Sequence, residues 1–190
     1  MTQAGIRRRV LRAMPATPEA IAPFGALVAS DDRVAPIRSA FYGDALEIRK
    51  PARLVNDADI ELSVARLRRR PMEALWLERH FLHTQAFIPL GGKPFAMILA
   101  PPSEGDLPDL DRAAAFVFAG DQGLAMHVGT WHEFPLAIED GTEIVVLLRG
   151  QTVQDLARRD GNEASGPDLE KRDLELRFGL RLAMELPGPA

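Results

Sequence analysis

Gln85-Ala86-Phe87-Ile88-Pro89-Leu90, followed by Gly91-Gly92 and then Phe95-Ala96-Met97-Ile98-Leu99-Ala100-Pro101-Pro102, is the stretch that decides the fold class. Each apolar run is long enough for a strand and too short for a core helix, and the glycine pair and the proline pair punctuate them. The spacing predicts a β-hairpin. Outward from it, Ile60-Glu61-Leu62-Ser63-Val64-Ala65-Arg66 and Leu75-Trp76-Leu77-Glu78-Arg79-His80 alternate in polarity and read as strands. Alternation puts Trp76, Glu78 and His80 on one face. Further along, Gly123 to His127 reads as a strand entering a turn at Gly129-Thr130, Trp131 to Ile138 as its successor, and Thr142 to Arg149 as a buried strand rich in Ile and Val. Asp111 to Phe118 stays open between helix and strand, its alanines pulling one way and Phe116-Val117-Phe118 the other.

The flanks are less regular. Ile6 to Met14 suits a strand, and Thr17-Pro18-Glu19-Ala20 supplies an N-cap, a proline at the first helical position and an acidic first turn for a short helix running to about Phe24. Ser30 to Pro51 has no clear period. Residues 151–190 are highly charged, with a plausible helix in Asp168-Leu169-Glu170-Lys171-Arg172-Asp173-Leu174, and read as a C-terminal arm. The sum is a mainly β chain, a barrel or sandwich of short strands, in one domain over residues 1–190 with 151–190 as an extension.

Composition narrows the function. The 190 residues carry a net charge of −4 and no cysteine, which excludes thiolate zinc sites, disulfides and cysteine nucleophiles and suits a reducing cytoplasm. Arg7-Arg8-Arg9 and Arg66 to Arg70 are basic runs on an acidic chain, too little for a nucleic-acid surface, and no apolar stretch is long enough for a membrane span. All four histidines fall in two segments, His80 with His83 and His127 with His132, so groups that titrate near neutrality are concentrated there.

Glu78-Arg79-His80, Thr84-Gln85-Ala86-Phe87-Ile88-Pro89-Leu90, Gln122-Gly123, His127 and Gly129-Thr130-Trp131-His132 together resemble the hallmark strings of the ureidoglycolate lyase family. The resemblance extends upstream to Thr17-Pro18-Glu19-Ala20, Ala22-Pro23-Phe24-Gly25 and Ser63-Val64 with Arg66, Arg68 and Arg70. It implies a cupin-like β-barrel, usually dimeric, that releases urea and glyoxylate from ureidoglycolate in purine breakdown. Three departures stand out: an asparagine, glycine and arginine string is missing from residues 40–56, Glu133 occupies a position where many members have a second histidine, and Leu148-Arg149-Gly150-Gln151 replaces an aspartate before Arg-Gly-Gly.

The residues also read chemically. Ureidoglycolate is a carbinolamide, so its cleavage needs a base at the hydroxyl and an acid at the leaving nitrogen. His132 is the expected base, with His127 as orienter or alternate, and Glu78 the acid, provided burial raises its pKa. Arg66 is placed to hold the carboxylate, Gln85 to pair with the ureido group, and His80 and Trp131 to complete the substrate pocket. Trp131 taken alone reads as a packing residue. His80, His127 and His132 with Glu78 or Glu133 would form a nitrogen and oxygen set for Mn, Ni, Fe or Zn, but the spacing of one residue between paired histidines is absent, and a flat strand sends His80 and His83 to opposite faces. The expectation is therefore no assigned metal ligand and no required cofactor, with a divalent Ni, Mn or Zn ion as the alternative. The other functional readings are a metal-dependent cupin-like dioxygenase or isomerase and a non-catalytic small-molecule-binding barrel. The expected partners are a small-molecule substrate and a second copy of the chain, with neither nucleic acid nor membrane.

Overall fold

The computed structural model describes residues 5–38 and 40–188. Twelve principal strands carry the architecture: β1 (Arg7–Arg12), β2 (Gly25–Val28), β3 (Ile60–Leu67), β4 (Trp76–His80), β5 (Ala86–Leu90), β6 (Phe95–Ala100), β7 (Ala114–Phe118), β8 (Gly123–Met126), β9 (Trp131–His132), β10 (Thr142–Arg149), β11 (Leu169–Asp173) and β12 (Leu180–Glu185). Three short helices interrupt them, α1 (Pro18–Ile21), α2 (Gln151–Ala157) and α3 (Leu174–Phe178). Thr17 caps α1 by accepting the Ala20 N–H at 3.2 Å, and the helix stops three residues short of Phe24.

The mainly β expectation holds. The sheets remain open, however, so the cupin-like architecture is that of a sandwich rather than a closed barrel. A large central sheet contains β11, β4, β9, β6 and β7 in that order, extended beyond β11 by the short strands Glu163–Ser165 and Arg159–Asp160. On one side lies a five-stranded sheet ordered β2, β8, β5, β10, β3, and on the other a small sheet of β1, β12 and Glu73–Ala74.

Strand β6 explains the layering. Its six residues are all buried, with Phe95, Met97 and Leu99 entering the core against the five-stranded sheet and Ala96, Ile98 and Ala100 entering the core against the small sheet. A strand covered on both faces has no polar side to show, which is why its sequence is a continuous apolar run. The expected hairpin over residues 85–100 does not form. β5 pairs with β8 and β10, whereas β6 pairs with β7 and β9, so Gly91-Gly92 carries the chain from one sheet to the other. Both glycines have φ near +75°, and a Cβ on Gly120 would fall 1.8 Å from the Gly92 carbonyl oxygen.

The charged C-terminal run also departs from expectation. Residues 169–173 form strand β11, not a helix, and pair with β4 in a ladder that includes Lys171 opposite Glu78. β12 lies parallel to β1 and places Leu180, Leu182 and Met184 in the core. Residues 114–118, ambiguous in sequence, are a strand.

Candidate active site

The site lies between the central and the five-stranded sheets and grows from one row of paired residues. Leu99, His132, Glu78 and Lys171 sit opposite one another across β6, β9, β4 and β11, and directly opposed residues project to the same face. Leu77, Arg79 and Trp131 project to the other. The His132 ring is fully buried, its edge against Phe87 at 6.0 Å between centroids. Nδ1 is 3.2 Å from the Thr130 carbonyl oxygen, which makes it the protonated nitrogen and leaves the Nε2 lone pair open, 3.6 Å from Glu78 Oε1. The Lys171 ammonium donates to Glu78 Oε2 at 2.8 Å.

His80 and His83 join this group. Their rings are 4.7 Å apart, and His80 is 5.3 Å from His132. The expectation that they diverge is overturned because β4 ends at His80 and the chain bends through residues 81–82 before His83. Asp168 accepts the Leu82 N–H at 2.8 Å and anchors that bend. His83 Nδ1 lies 2.9 Å from Asp168 Oδ2, off the direction of a ring N–H hydrogen bond.

Several polar atoms here are buried without a partner: both ring nitrogens of His80 and of His83, His132 Nε2, Gln85 Oε1, Glu133 Oε2 and Trp76 Nε1. An unpaired buried polar group costs roughly 1–3 kcal/mol, so a concentration of them marks a place built to receive something polar. Gln85 continues the β5 ladder opposite Met126 and shares a strand face with Phe87, which turns its carboxamide inward.

The electrostatics separate two carboxyls. Burial pushes Glu78 up, but the His132 ring in its protonated form, the Lys171 ammonium and the His80 ring in its protonated form outweigh it and hold Glu78 well below the usual carboxylate range. The premise for Glu78 as proton donor therefore fails: it is an anion. Glu133 goes the other way, with burial raising it against the opposing charges of Arg70 and Lys171. Its Oε1 accepts from Arg70 at 3.0 Å and from the Phe134 N–H. For His80, burial and then the neighbouring His132 hold the imidazole far below its ordinary value, in the neutral form. Asp168 is raised by burial but lowered more by His83 and the Leu82 N–H, and stays ionised.

The remaining candidates lie elsewhere. His127 is exposed, with Nε2 3.1 Å from the Ala22 carbonyl oxygen, and is not brought to the cluster. Arg66 is also exposed and binds Glu143 across the edge of the five-stranded sheet at 2.6 Å. Trp131 packs in the core on the far face, its Nε1 donating to Ser103 and its ring under Arg79. Sequence reasoning missed Lys171 and Asp168, which looked like part of a solvated helix, and missed Arg70 in its basic run.

His80, His83 and Asp168 present donor atoms within 4.8 Å of one another, as do Glu78, His80 and His132, a nitrogen and oxygen set suited to a first-row divalent ion.

Comparison with known proteins gives the family. The family model described as ureidoglycolate lyase matches residues 8–170. The chain is 37% identical over 147 residues to the ureidoglycolate lyase of Pseudomonas fluorescens (strain SBW25), covering 76% of this chain and 87% of that protein. Its identity to the ureidoglycolate lyase of Azotobacter vinelandii (strain DJ / ATCC BAA-1303) is 35% over 144 residues, 74% of this chain and 86% of the relative. The chain belongs to the ureidoglycolate lyase family.

Proposed function

We propose that this chain is a carbon–nitrogen lyase that splits ureidoglycolate, or a close carbinolamide, into glyoxylate and urea. The observation that carries the reading is the open Nε2 of His132 facing the ionised Glu78 carboxylate, in a chain of this family. His132 Nε2 takes the proton of the substrate hydroxyl. The resulting imidazolium faces Glu78, whose negative charge stabilises it, while Thr130 keeps the ring oriented. As the C=O bond forms, the C–N electron pair leaves with the ureido nitrogen, which collects a proton from the Glu133 carboxyl, the group whose pKa burial raises. Gln85 Oε1 accepts from the ureido N–H groups.

The donor set fits a divalent ion such as Ni, Mn or Zn. His80, His83 and Asp168 would hold it with His132 left free, and such an ion would act as a Lewis acid on a substrate oxygen. We place the activity in the cytoplasm, as the cysteine-free composition suits, within one domain and a homodimer.

The test follows glyoxylate release from racemic ureidoglycolate, with metal content measured on the same protein purified without added metal. His132→Ala is expected to lower kcat by about two to four powers of ten with the fold intact by circular dichroism. Turnover that survives this replacement removes His132 as the base. Metal that stays bound in a folded His83→Ala variant removes the proposed ion site.

A further inference from the structure

The row of paired residues that builds the site does not end at Lys171. It continues across the same sheet to Ala164 and then Arg159, so that His132, Glu78, Lys171, Ala164 and Arg159 share one face. Over its outer half lies a cavity of about 280 Å³, floored by Trp76 and Lys171 and walled by Leu156 of α2, Asn162 and Arg159. At roughly 30 Å³ per water, that is room for one small acid with several waters.

The charges in this cavity are not balanced within it. Glu163 is satisfied by Arg177 and by the Asp173 N–H, and Asn162 is spent on Asp173 Oδ2. Lys171 is committed to Glu78, with its ammonium 6.0 Å from the Trp76 ring centroid. Among the described residues the Arg159 guanidinium has no ion-pair or hydrogen-bonded partner. Three strand spacings of ~4.8 Å put the Arg159 Cα about 14 Å from that of Glu78, with Lys171 between them on the same face and Arg159 exposed at the rim of the cavity.

We propose that this cavity is the subsite for the substrate's carboxylate, with Arg159 as its cation, and that the reacting carbon then lies at the Lys171 end beside Glu78 and His132. Arg159 takes the role the sequence suggested for Arg66, which Glu143 holds on another sheet. The assignment rests on the lyase reading for the substrate's identity, but the anion subsite itself does not.

Two probes separate the two ideas: oxalurate, the keto analogue of ureidoglycolate, and malonate, a dicarboxylate without a ureido group. Trp76 and Trp131 are the only tryptophans, and Trp76 floors the cavity, so ligand binding is read as indole fluorescence. Quenching is expected in the parent and its loss in Trp76→Phe. Arg159→Ala is expected to weaken oxalurate binding about tenfold or more and to raise KM for ureidoglycolate similarly, with kcat within about threefold and Arg159→Lys recovering part of the loss. Malonate binding that depends on Arg159 in a chain that does not turn over ureidoglycolate keeps the subsite and overturns the lyase reading. Turnover and oxalurate binding unchanged in a folded Arg159→Ala variant overturn the subsite and leave the lyase reading intact. Failure of both anions to bind the parent overturns the subsite as well.

Discussion

His132 and Glu133 are neighbours in sequence with opposite tasks, and the difference is environmental. The ring of His132 is oriented by a backbone carbonyl with its second nitrogen free, whereas the carboxyl of Glu133 is buried with one oxygen unpartnered, so protonation is favoured there. A carboxylic acid that must donate a proton fails once it ionises, so the alkaline side of the rate profile belongs to Glu133. As pH rises through the elevated pKa of Glu133, kcat is expected to fall. Glu133→Gln should cost about two to four powers of ten in kcat and remove that limb, because the amide has no proton to lose. An alkaline limb that persists in Glu133→Gln assigns it to another group. Glu78→Gln is expected to slow the reaction by weakening the imidazolium and to move that limb to lower pH, because the Glu78 charge helps to raise Glu133.

At the scale of the element, what was legible and what was not follows from burial. β4, β5, β6, β8 and β10 carry apolar runs or alternation that only a strand explains, and they were read correctly as strands. The partner of β5 was not legible, since two apolar runs joined by Gly91-Gly92 describe a hairpin and a sheet crossing equally well. β11 was missed because Glu170, Lys171 and Arg172 find their partners within the fold: Glu170 holds Arg79, Lys171 holds Glu78, and Arg172 reaches the Asp106 carbonyl. Charge in sequence reads as solvent exposure, and only tertiary pairing reverses that. Two members of the cluster, Asp168 and Lys171, came from this misread segment. β3 raises a different issue, because it is an edge strand with Ile60, Leu62 and Val64 exposed along one face. Such an edge invites pairing, and it supports the proposed homodimer. Leu62→Lys with Val64→Lys should convert a dimeric elution in sizing at micromolar concentration to a monomeric one, with activity per chain measured alongside. Dimeric elution of the double variant would move the interface elsewhere, and monomeric elution of the parent would remove the dimer.

For the whole molecule, a buried cluster of histidines and carboxylates ties folding to pH, and each group does so with its own sign. His80 is neutral in the fold and held below its ordinary value of 6.5, so the unfolded chain binds more protons once the pH falls below that value. Its contribution is complete above pH 6.5 and is lost as pH falls towards its folded pKa. Glu78 is also depressed, from 4.5, so its contribution is complete above that value and is lost on further acidification. Glu133, raised from 4.5, acts in the opposite sense and loses stability as pH rises through its elevated range. Three depressed groups, His80, Glu78 and Asp168, against one raised group give a net fall in stability on acidification, starting near pH 6.5 with His80 and steepening below about 4.5 as the two carboxylates join it. The urea midpoint of unfolding is therefore expected to decline between pH 7 and 5. In His80→Gln, which cannot titrate, the decline in that upper interval should flatten whatever the variant's absolute stability, while the acidic part remains. A parent midpoint that stays level from pH 7 to 5 would show that His80 is as easily protonated folded as unfolded, and that the cluster already balances a second positive charge.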